Sequence, residues 1–473
     1  MREVVSYNFQ ESDIADGNYA ALFSKRRRDA MFAFAFEEAD GSLVMGRDHL
    51  GNVPLFYRIE NGVIRASIFL HELTKNDEVF NEEGLRAYLS IGTVKLAPLF
   101  KDINIVPPGS VIRVKSDGSC EVLYTYRIHA KKQSGSFAQC AAEADRLLAA
   151  AIARVAPKGR VGLYLSGGID SGLIGVYLKQ LGLAVHAYTA APPVGRGSET
   201  HFANLNAKTI GVDEHSMQHL DTSRYAHLAE RSAHWYGNPN GSTSQMAILT
   251  LLESTDVAHE SHVFFGQNSD TVTCTVAAQS ALFFAGFVPR FVRQYLHPSL
   301  KETSLLDSFV SLSTVGMLKH FAPLEEFEKG YSRLEQLTLA GMRFAYTPVD
   351  GEILLLPHVQ KNTLVSNPYY DMDLIEFCMG IPLRYRIGRA RDSKIGLALV
   401  KRIFRSLARR YLPPEIVERK KGLSIPITQE EHARTFFETL PHEMHSIKLR
   451  TPGQRFAAGQ LEMWLRERGI SAR

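Results

Sequence analysis

The sequence predicts an α/β protein in which a doubly wound domain with a parallel sheet follows a smaller, antiparallel β-rich domain. Three observations predict this architecture. Residues 31–114 alternate apolar and polar side chains between turn signals, whereas residues 160–270 alternate buried strand patterns with helical ones. A short polar segment with Gly and Ser, residues 128–137, separates the two patterns. A chain of 473 residues has room for two or three domains.

The composition is that of an ordinary globular protein, with 45% hydrophobic and 22% charged residues. The formal net charge of +4 is small for this length and gives no case for nucleic-acid binding. The four cysteines include no C-x-x-C pair, so neither a zinc ribbon nor a disulfide framework is indicated. The first residues lack the apolar stretch of a signal peptide, and no apolar run reaches membrane-spanning length. We therefore expect a cytoplasmic protein.

Residues 1–130 are expected to form the β-rich domain. Its alternating segments are divided by dipeptides typical of hairpin turns, namely Asp40-Gly41, Gly51-Asn52 and Asn61-Gly62. A helical pattern runs from Glu82 to Leu89, and the strands resume after it. The residues by themselves assign no chemistry to this domain.

The second domain is expected over residues 137–473, opening with an amphipathic helix that begins at Phe137. Strand patterns at 161–165, 184–190 and 262–265 then alternate with helical ones. Toward the end of the chain helices predominate. The last clear helical spacing joins Ile395, Leu399, Ile403 and Leu407.

The most informative stretch is S-G-G-I-D-S, residues 166–171, between a buried strand and a helix. Two glycines let the backbone approach an anion, and the hydroxyls of Ser166 and Ser171 point toward it with the free amides of the helix start. Asp170 suits such a loop when a divalent cation lies between its carboxylate and the phosphates. The loop lacks the lysine of the G-x-x-x-x-G-K-[ST] phosphate loop. A Ser/Gly-rich turn without function is the alternative.

A second polar turn, G-Q-N-S-D at residues 266–270, follows another buried strand. Ligands bind at the carboxyl ends of the strands in parallel sheets, so the two loops should meet there. Asp270 would then join Asp170 as a ligand of Mg²⁺. An aspartate that only caps a turn or helix is the alternative.

The loop S-G-G-I-D-S resembles the pyrophosphate-binding loop of the N-type ATP pyrophosphatases, which split ATP between its α and β phosphates. From Lys158 to Pro426 the chain is similar to the synthetase domain shared by asparagine synthetases, β-lactam synthetases, carbapenam synthetases and lasso-peptide cyclases. The similarity is carried by the segments SETHFANLNAKTIGVDEH, GQNSD and LPPEIVERKKGLSIP. It implies an adenine nucleotide alpha hydrolase-like fold, with ATP and Mg²⁺ as cofactors. The residues expected to bind ATP or pyrophosphate are Leu165, Ser166, Gly167, Gly168, Asp170, Ser171, Ala190 and Gly266.

The first domain resembles the glutaminase domain of asparagine synthetases in the segments GRDHLGNVPLFY and LFKDINIVPPGSVIRV. Those enzymes begin with an N-terminal cysteine that releases ammonia from glutamine. This chain begins with Met1 and its first cysteine is Cys120. The resemblance therefore implies a degenerate glutaminase fold of the N-terminal-nucleophile type, without glutamine hydrolysis.

Two residues are expected to act in catalysis, Lys420 and Gln267. Matched by distance to Gly422, Lys420 falls on the family's catalytic lysine, with Lys421 as the alternative. That lysine stabilises the negative charge that develops as an amine displaces AMP. Gln267 stands where asparagine synthetases have a carboxylate and carbapenam synthetases a tyrosine of a base dyad. Because glutamine cannot take up a proton, the amine arrives as the free base, another group deprotonates it, or this half-reaction is absent.

These features predict an ATP-dependent carbon–nitrogen ligase. It would adenylate a substrate carboxylate, release pyrophosphate and let an amine displace AMP, in a pathway that forms a lactam, a macrocycle or an amide. The expected partners are a small-molecule or peptide carboxylate and an amine, with no nucleic acid and no membrane; a homodimer is left open. Two alternatives are a catalytically degenerate nucleotide-binding scaffold, which Gln267 favours, and a tRNA-modifying ATP pyrophosphatase, which would bring paired cysteines and a basic surface.

Overall fold

A computed structural model describes residues 2–10, 13–14, 17–25, 31–95, 97–192, 199–273, 331, 335, 338–339, 342–343, 346–361, 363–387, 401–419, 449 and 452–473. The first region contains helices α1 (Tyr19–Lys25) and α2 (Glu82–Ile91). Its strands are β1 (Arg2–Tyr7), β2 (Ala33–Glu37), β3 (Leu43–Arg47), β4 (Phe56–Glu60), β5 (Val63–Ser67), β6 (Asp77–Glu78), β7 (Ile103–Ile105), β8 (Ser110–Val114) and β9 (Cys120–Thr125). The larger sheet has the order β1-β2-β3-β8-β9 and a smaller one the order β5-β4-β7. Both are antiparallel, as the alternating pattern predicts.

Local sequence explains these elements. Gly41 and Gly62 have φ values of +79° and +77°, which a residue with a side chain rarely adopts, and they turn β2 into β3 and β4 into β5. Helix α2 starts at Asn81, whose side chain accepts hydrogen bonds from the amides of Glu83 and Gly84. It ends at the left-handed Gly92, so the predicted helix is confirmed and extends two residues further.

The G-R-D-H-L-G-N segment after β3 is a buried hydrogen-bonded loop. Arg47 is 0% exposed, and its guanidinium donates to the carbonyl oxygens of Gly51, Val53 and Val106. Burial lowers the pKa of Arg47 to about 10, which still leaves it charged at neutral pH. The motif that resembles the glutaminase domain therefore holds the first region together.

Replacing Arg47 with methionine is expected to lower the free energy of unfolding by about 3 kcal/mol or more, because three buried carbonyl groups lose their donor. Denaturant unfolding of the full chain measures this. Arg146→Met, at a side chain that is 64% exposed, is the control and should change stability by less than about 0.5 kcal/mol. Equal stability of the two variants would contradict the structural role.

The second region forms a parallel sheet surrounded by helices. The strands of this sheet are β10 (Arg160–Tyr164), β11 (Ala184–Ala191), β12 (Glu214–His219), β13 (His262–Phe264) and β14 (Leu364–Ser366). The region also contains β15 (Ser471–Ala472), which lies outside this sheet. Its helices are α3 (Phe137–Val155), α4 (Ile169–Gln180), α5 (Glu199–Ile210), α6 (Tyr225–Tyr236), α7 (Gln245–Ser254), α8 (Ser269–Val272), α9 (Tyr346–Val359), α10 (Met372–Gly380), α11 (Leu383–Arg386), α12 (Arg402–Ala408), α13 (Pro414–Val417) and α14 (Pro452–Glu467).

The strand order of this sheet is β12-β11-β10-β13-β14, and all neighbouring pairs are parallel. From the central β10 the chain moves outward to β11 and β12, then crosses back to β13 and β14 on the other side. This reversal creates a topological switch point between β10 and β13, where open α/β sheets bind ligands. The predicted α/β fold with a parallel sheet after a β-rich domain is confirmed.

One helix prediction is wrong in its extent. Ile395 and Leu399 lie outside the described residues, and α12 begins only at Arg402. Lys401 has a left-handed backbone with φ +56°, so a helix cannot run through it.

The last described residues return to the first region. Strand β15 pairs in parallel with β6, and α14 packs Leu461 and Trp464 into a core shared with Leu85 and Tyr88 of α2. The side chain of Tyr88 donates to the carbonyl oxygen of Ala457 at 3.0 Å. Residues near the end of the chain therefore pack on the first region through β15 and α14. The domain boundary expected between residues 130 and 137 stays a prediction.

Candidate active site

The loops after β10 and β13 lie in direct contact at the switch point. A Cβ atom built on Gly266 would be 2.9 Å from the amide nitrogen of Ser171 and 3.1 Å from the carbonyl carbon of Asp170. Only a residue without a side chain allows this approach. The expected meeting of the two loops is therefore confirmed by backbone packing.

A Gly266→Ala variant should push the two loops apart. We expect a loss of about 1 to 3 kcal/mol in unfolding free energy from overpacking, and weaker nucleotide binding. Thermal unfolding with and without ATP measures both effects. Gly135→Ala is the control, because a Cβ there would meet its neighbours at an ordinary 3.4 Å. If Gly266→Ala is as stable as Gly135→Ala and is stabilised by ATP to the same extent, the close contact between the two loops is contradicted.

The S-G-G-I-D-S loop is fixed by hydrogen bonds of its own. The amide of Ser166 donates to the hydroxyl of Ser171 at 3.0 Å, and the amide of Gly168 donates to the hydroxyl of Ser166 at 3.1 Å. The side-chain amide of Asn206, which is 0% exposed, donates to the carbonyl oxygens of Ser166 and Gly168 at 2.8 and 2.9 Å. These contacts turn the loop carbonyls toward Asn206, on α5.

Helix α4 begins directly after this loop. Its N-cap is Gly168, which provides no side-chain cap. The amides of the first turn of a helix have no intrahelical acceptor, and the helix dipole makes this end partly positive. The arrangement therefore suits an anion such as a phosphate group.

An ion pair also lies beside the face of the loop that packs on α5. A Cβ on Gly167 would clash with Phe202 at 2.5 Å, so the loop packs closely on α5. Next to this contact the Arg419 guanidinium pairs with Glu199 at 2.8 Å and lies over the Phe202 ring at 4.6 Å. Arg419 is the last described residue before Lys420, and both Lys420 and Lys421 lie outside the described residues.

Asp170 and Asp270 converge on a lysine that the sequence reading missed. The Lys401 ammonium is 2.5 Å from Oδ2 of Asp170 and 2.8 Å from Oδ1 of Asp270, and it donates to the hydroxyl of Ser269 at 3.0 Å. Its side chain is only 8% exposed, against 21% and 23% for the two aspartates. The only hint in the sequence is a lysine directly after the apolar run L-A-L-V.

The remaining predicted residues lie around these loops. Gln267 has an exposed side chain, and its carbonyl oxygen accepts a hydrogen bond from the side chain of Asn367 at 3.0 Å. Leu165 is buried and accepts a hydrogen bond from the hydroxyl of Thr189, the residue before the half-buried Ala190. These contacts hold the strand ends together and leave the Gln267 side chain outward.

Tyr369 lies against the same site and is a weak candidate for a base. Its hydroxyl donates to the backbone carbonyl oxygen of Asp170 at 3.1 Å. Complete burial, and then the neighbouring Asp170 carboxylate, raise the pKa of Tyr369 well above its ordinary value. The tyrosine therefore stays protonated at neutral pH and acts as a donor that orients the loop.

A second group of metal-ligand types lies at the opposite end of the strands. It comprises His186, Asp256 and Glu260, but the Arg160 guanidinium is between them, 2.5 Å from Nδ1 of His186 and 2.9 Å from Glu260. This guanidinium supplies the positive charge that a metal would otherwise bring, so we interpret the group as an ion-pair network.

Within the described residues, no helix is both long and apolar enough to cross a membrane.

Comparison with known proteins gives two family matches. The model of the family "Asparagine synthase" matches residues 143–340 and 365–455, and that of the "Glutamine amidotransferase domain" matches residues 24–126. No curated protein matches the chain. Among solved structures, the U34-tRNA thiolase NcsA from Methanococcus maripaludis with its [4Fe-4S] cluster is 20% identical, over 47% of this chain and 81% of that chain. Its TM-score of 0.22 is too low for the likeness to bear on fold or function.

Proposed function

The chain belongs to the asparagine synthase family of ATP-dependent ligases, and on that premise we propose that it is an AMP-forming amide synthetase. It activates a substrate carboxylate as an acyl-adenylate with release of pyrophosphate, and an amine then displaces AMP. The observation that carries the proposal is the contact of the S-G-G-I-D-S and G-Q-N-S-D loops at the switch point.

The S-G-G-I-D-S loop is proposed to bind the pyrophosphate part of ATP. Its glycines let the phosphates approach the backbone, and the helix start supplies amides as donors. Asn206 and the two serine hydroxyls hold the loop in one conformation before the ligand arrives. Binding then costs little reorganisation, which favours electrostatic stabilisation of the leaving group.

Asp170 and Asp270 are proposed to hold Mg²⁺. The residues fit this ion, because both offer carboxylate oxygens and, among the described residues, the buried Oδ1 of Asp170 has no hydrogen-bond partner. When bound, Mg²⁺ would spread the negative charge of the triphosphate. The aspartates lie in the first turns of α4 and α8, which follow the adjacent strands β10 and β13, and both contact the Lys401 ammonium.

Lys420 is proposed as the catalytic lysine. It follows Arg419, whose ion pair with Glu199 lies beside Gly167, so the segment that carries Lys420 starts at the phosphate-binding loop. A lysine ammonium near the reacting centre would stabilise negative charge on the acyl group and the α-phosphate.

The amine is proposed to come from a substrate and not from glutamine. Residues 1–130 contain one cysteine, Cys120, in β9 of the larger sheet. Cys120 is exposed, and desolvation by its surroundings raises the pKa of its thiol, whereas a nucleophilic cysteine needs a lowered pKa. The proposed substrates are a small-molecule or peptide carboxylate and an amine. We propose that the reaction takes place in the cytoplasm and involves neither nucleic acid nor a membrane.

The proposal is tested by the carboxylate-dependent exchange of labelled pyrophosphate into ATP, over a panel of amino acids, amino diacids and peptides. Exchange that depends on one carboxylate supports adenylation, and that carboxylate with added amines then gives an amide and AMP. A catalytically degenerate scaffold, which Gln267 favours, would bind ATP in a calorimeter without exchange by any member of the panel. That outcome would reject the ligase.

A further inference from the structure

Lys401 occupies a specific place between the two proposed metal ligands. Its ammonium contacts Asp170, Asp270 and Ser269 at 2.5 to 3.0 Å, so each of its three N–H groups has an acceptor. Two carboxylates that converge in a partly buried site repel each other unless a cation lies between them. The lysine supplies that cation from within the chain.

Another cationic group among the described residues, Arg405, lies near these aspartates. Burial lowers the pKa of Arg405, while Asp170 and Asp270 act in the opposite direction, so this guanidinium lies within their electrostatic range. Its side chain donates to the backbone carbonyl oxygen of Val417. Lys401 is in direct contact with both carboxylates.

The backbone at Lys401 supports a functional origin of this contact. Among the described residues, the non-glycine residues with positive φ are Asn8, Asn61, Asn268 and Lys401. Asparagine adopts this conformation readily, whereas for lysine it is strained. Strain of this kind persists where surrounding contacts enforce it and collects at functional sites.

We propose that Lys401 acts as a built-in counter-ion that keeps divalent cations from binding to Asp170 and Asp270 until the nucleotide arrives. The inference rests on the proposed function, because it takes these aspartates as the metal ligands. An ammonium that contacts both carboxylates strongly repels a divalent cation that binds to the same two groups. The negative charge of a triphosphate compensates both cations, so metal and nucleotide bind together and the metal alone binds weakly.

The test measures Mn²⁺ binding to the full chain without nucleotide. The electron paramagnetic resonance signal of free Mn²⁺ reports how much of the metal remains unbound. Lys401→Met removes the ammonium and keeps the apolar stem. We expect this variant to bind Mn²⁺ at least tenfold more tightly than the wild type. The gain should disappear in the double variant Lys401→Met, Asp170→Asn. Lys179→Met, which removes a lysine paired with Asp213 at the far end of α4, is the matched control and should bind like the wild type.

Unchanged or weaker Mn²⁺ binding by Lys401→Met would overturn the proposal, as would an equal gain in the control. Circular dichroism verifies the fold, and Lys401→Gln, which keeps a polar group, replaces the methionine variant if that variant unfolds. Pyrophosphate exchange separates this proposal from the proposed function. If the wild type exchanges pyrophosphate but Lys401→Met does not bind Mn²⁺ more tightly, only the counter-ion role is rejected. If Lys401→Met binds Mn²⁺ more tightly but the wild type shows no exchange, only the ligase is rejected.

Discussion

Pyrophosphate exchange is expected to fall by at least about a thousandfold when Asp170 is replaced with asparagine. The substitution keeps the shape of the side chain and removes its charge. Asp170 follows the two glycines of the S-G-G-I-D-S loop, and it contacts the Lys401 ammonium together with Asp270, so this pair would lose half of its negative charge. Asparagine offers one neutral carbonyl oxygen in place of a charged carboxylate, so it is a much weaker ligand for Mg²⁺. The measurement is the exchange rate at saturating ATP and carboxylate.

The fold of this variant must be checked because Lys401 loses one of its anionic partners. Thermal unfolding shows whether a lower exchange rate reflects the site or the whole domain. Asp117→Asn, in an exposed turn of the first region, is the control and should exchange at the wild-type rate. A folded Asp170→Asn variant with exchange within tenfold of the wild type would exclude Asp170 from nucleotide binding.

Replacing Lys420 with alanine is expected to lower both exchange and amide formation by about a hundredfold or more. The physical reason is the loss of a positive charge near the acyl centre and the α-phosphate, which both half-reactions share. Lys420→Arg should recover little activity, because a planar guanidinium does not replace a compact ammonium on a flexible stem. Rapid-quench kinetics on the identified carboxylate and amine separate the two half-reactions.

Lys421→Ala is the matched control for this prediction, since it removes the same charge one residue later. We expect its rates to stay within about threefold of the wild type, because the proposal assigns the catalytic role to Lys420. The opposite pattern would assign the catalytic role to Lys421. Exchange that survives in Lys420→Ala would remove the role assigned to Lys420.

The sequence predicts the main features of this site because they depend on local patterns. A buried strand, two glycines and an amphipathic helix determine the S-G-G-I-D-S loop without help from distant residues. The second loop has the same form, and the rule for parallel sheets then brings the two together. Strand order completes the argument, since β10 and β13 are neighbours.

Two further residues of the site could not be predicted, because their contacts are distant in sequence. The spacing from Ile395 to Leu407 indicates a continuous helix, but Lys401 takes a left-handed backbone and contacts residues 131 and 231 positions away. Asn206 lies within a helix whose pattern leaves it an ordinary polar position, yet it is fully buried against loop carbonyls about 40 residues earlier. Periodicity reports which face is apolar and not which polar group will be enclosed.

The pairing of β15 with β6 limits how the two regions can move. Two domains that are joined by a single connection can rotate around it, and many enzymes open and close by such a hinge movement. Here the regions are connected through residues 128–137, and they are attached again, far along the chain, by the β15–β6 pair and the shared core of α2 and α14. Any opening must break this second attachment or leave it as the pivot. A hinge that consists only of the connecting segment between the regions is therefore excluded.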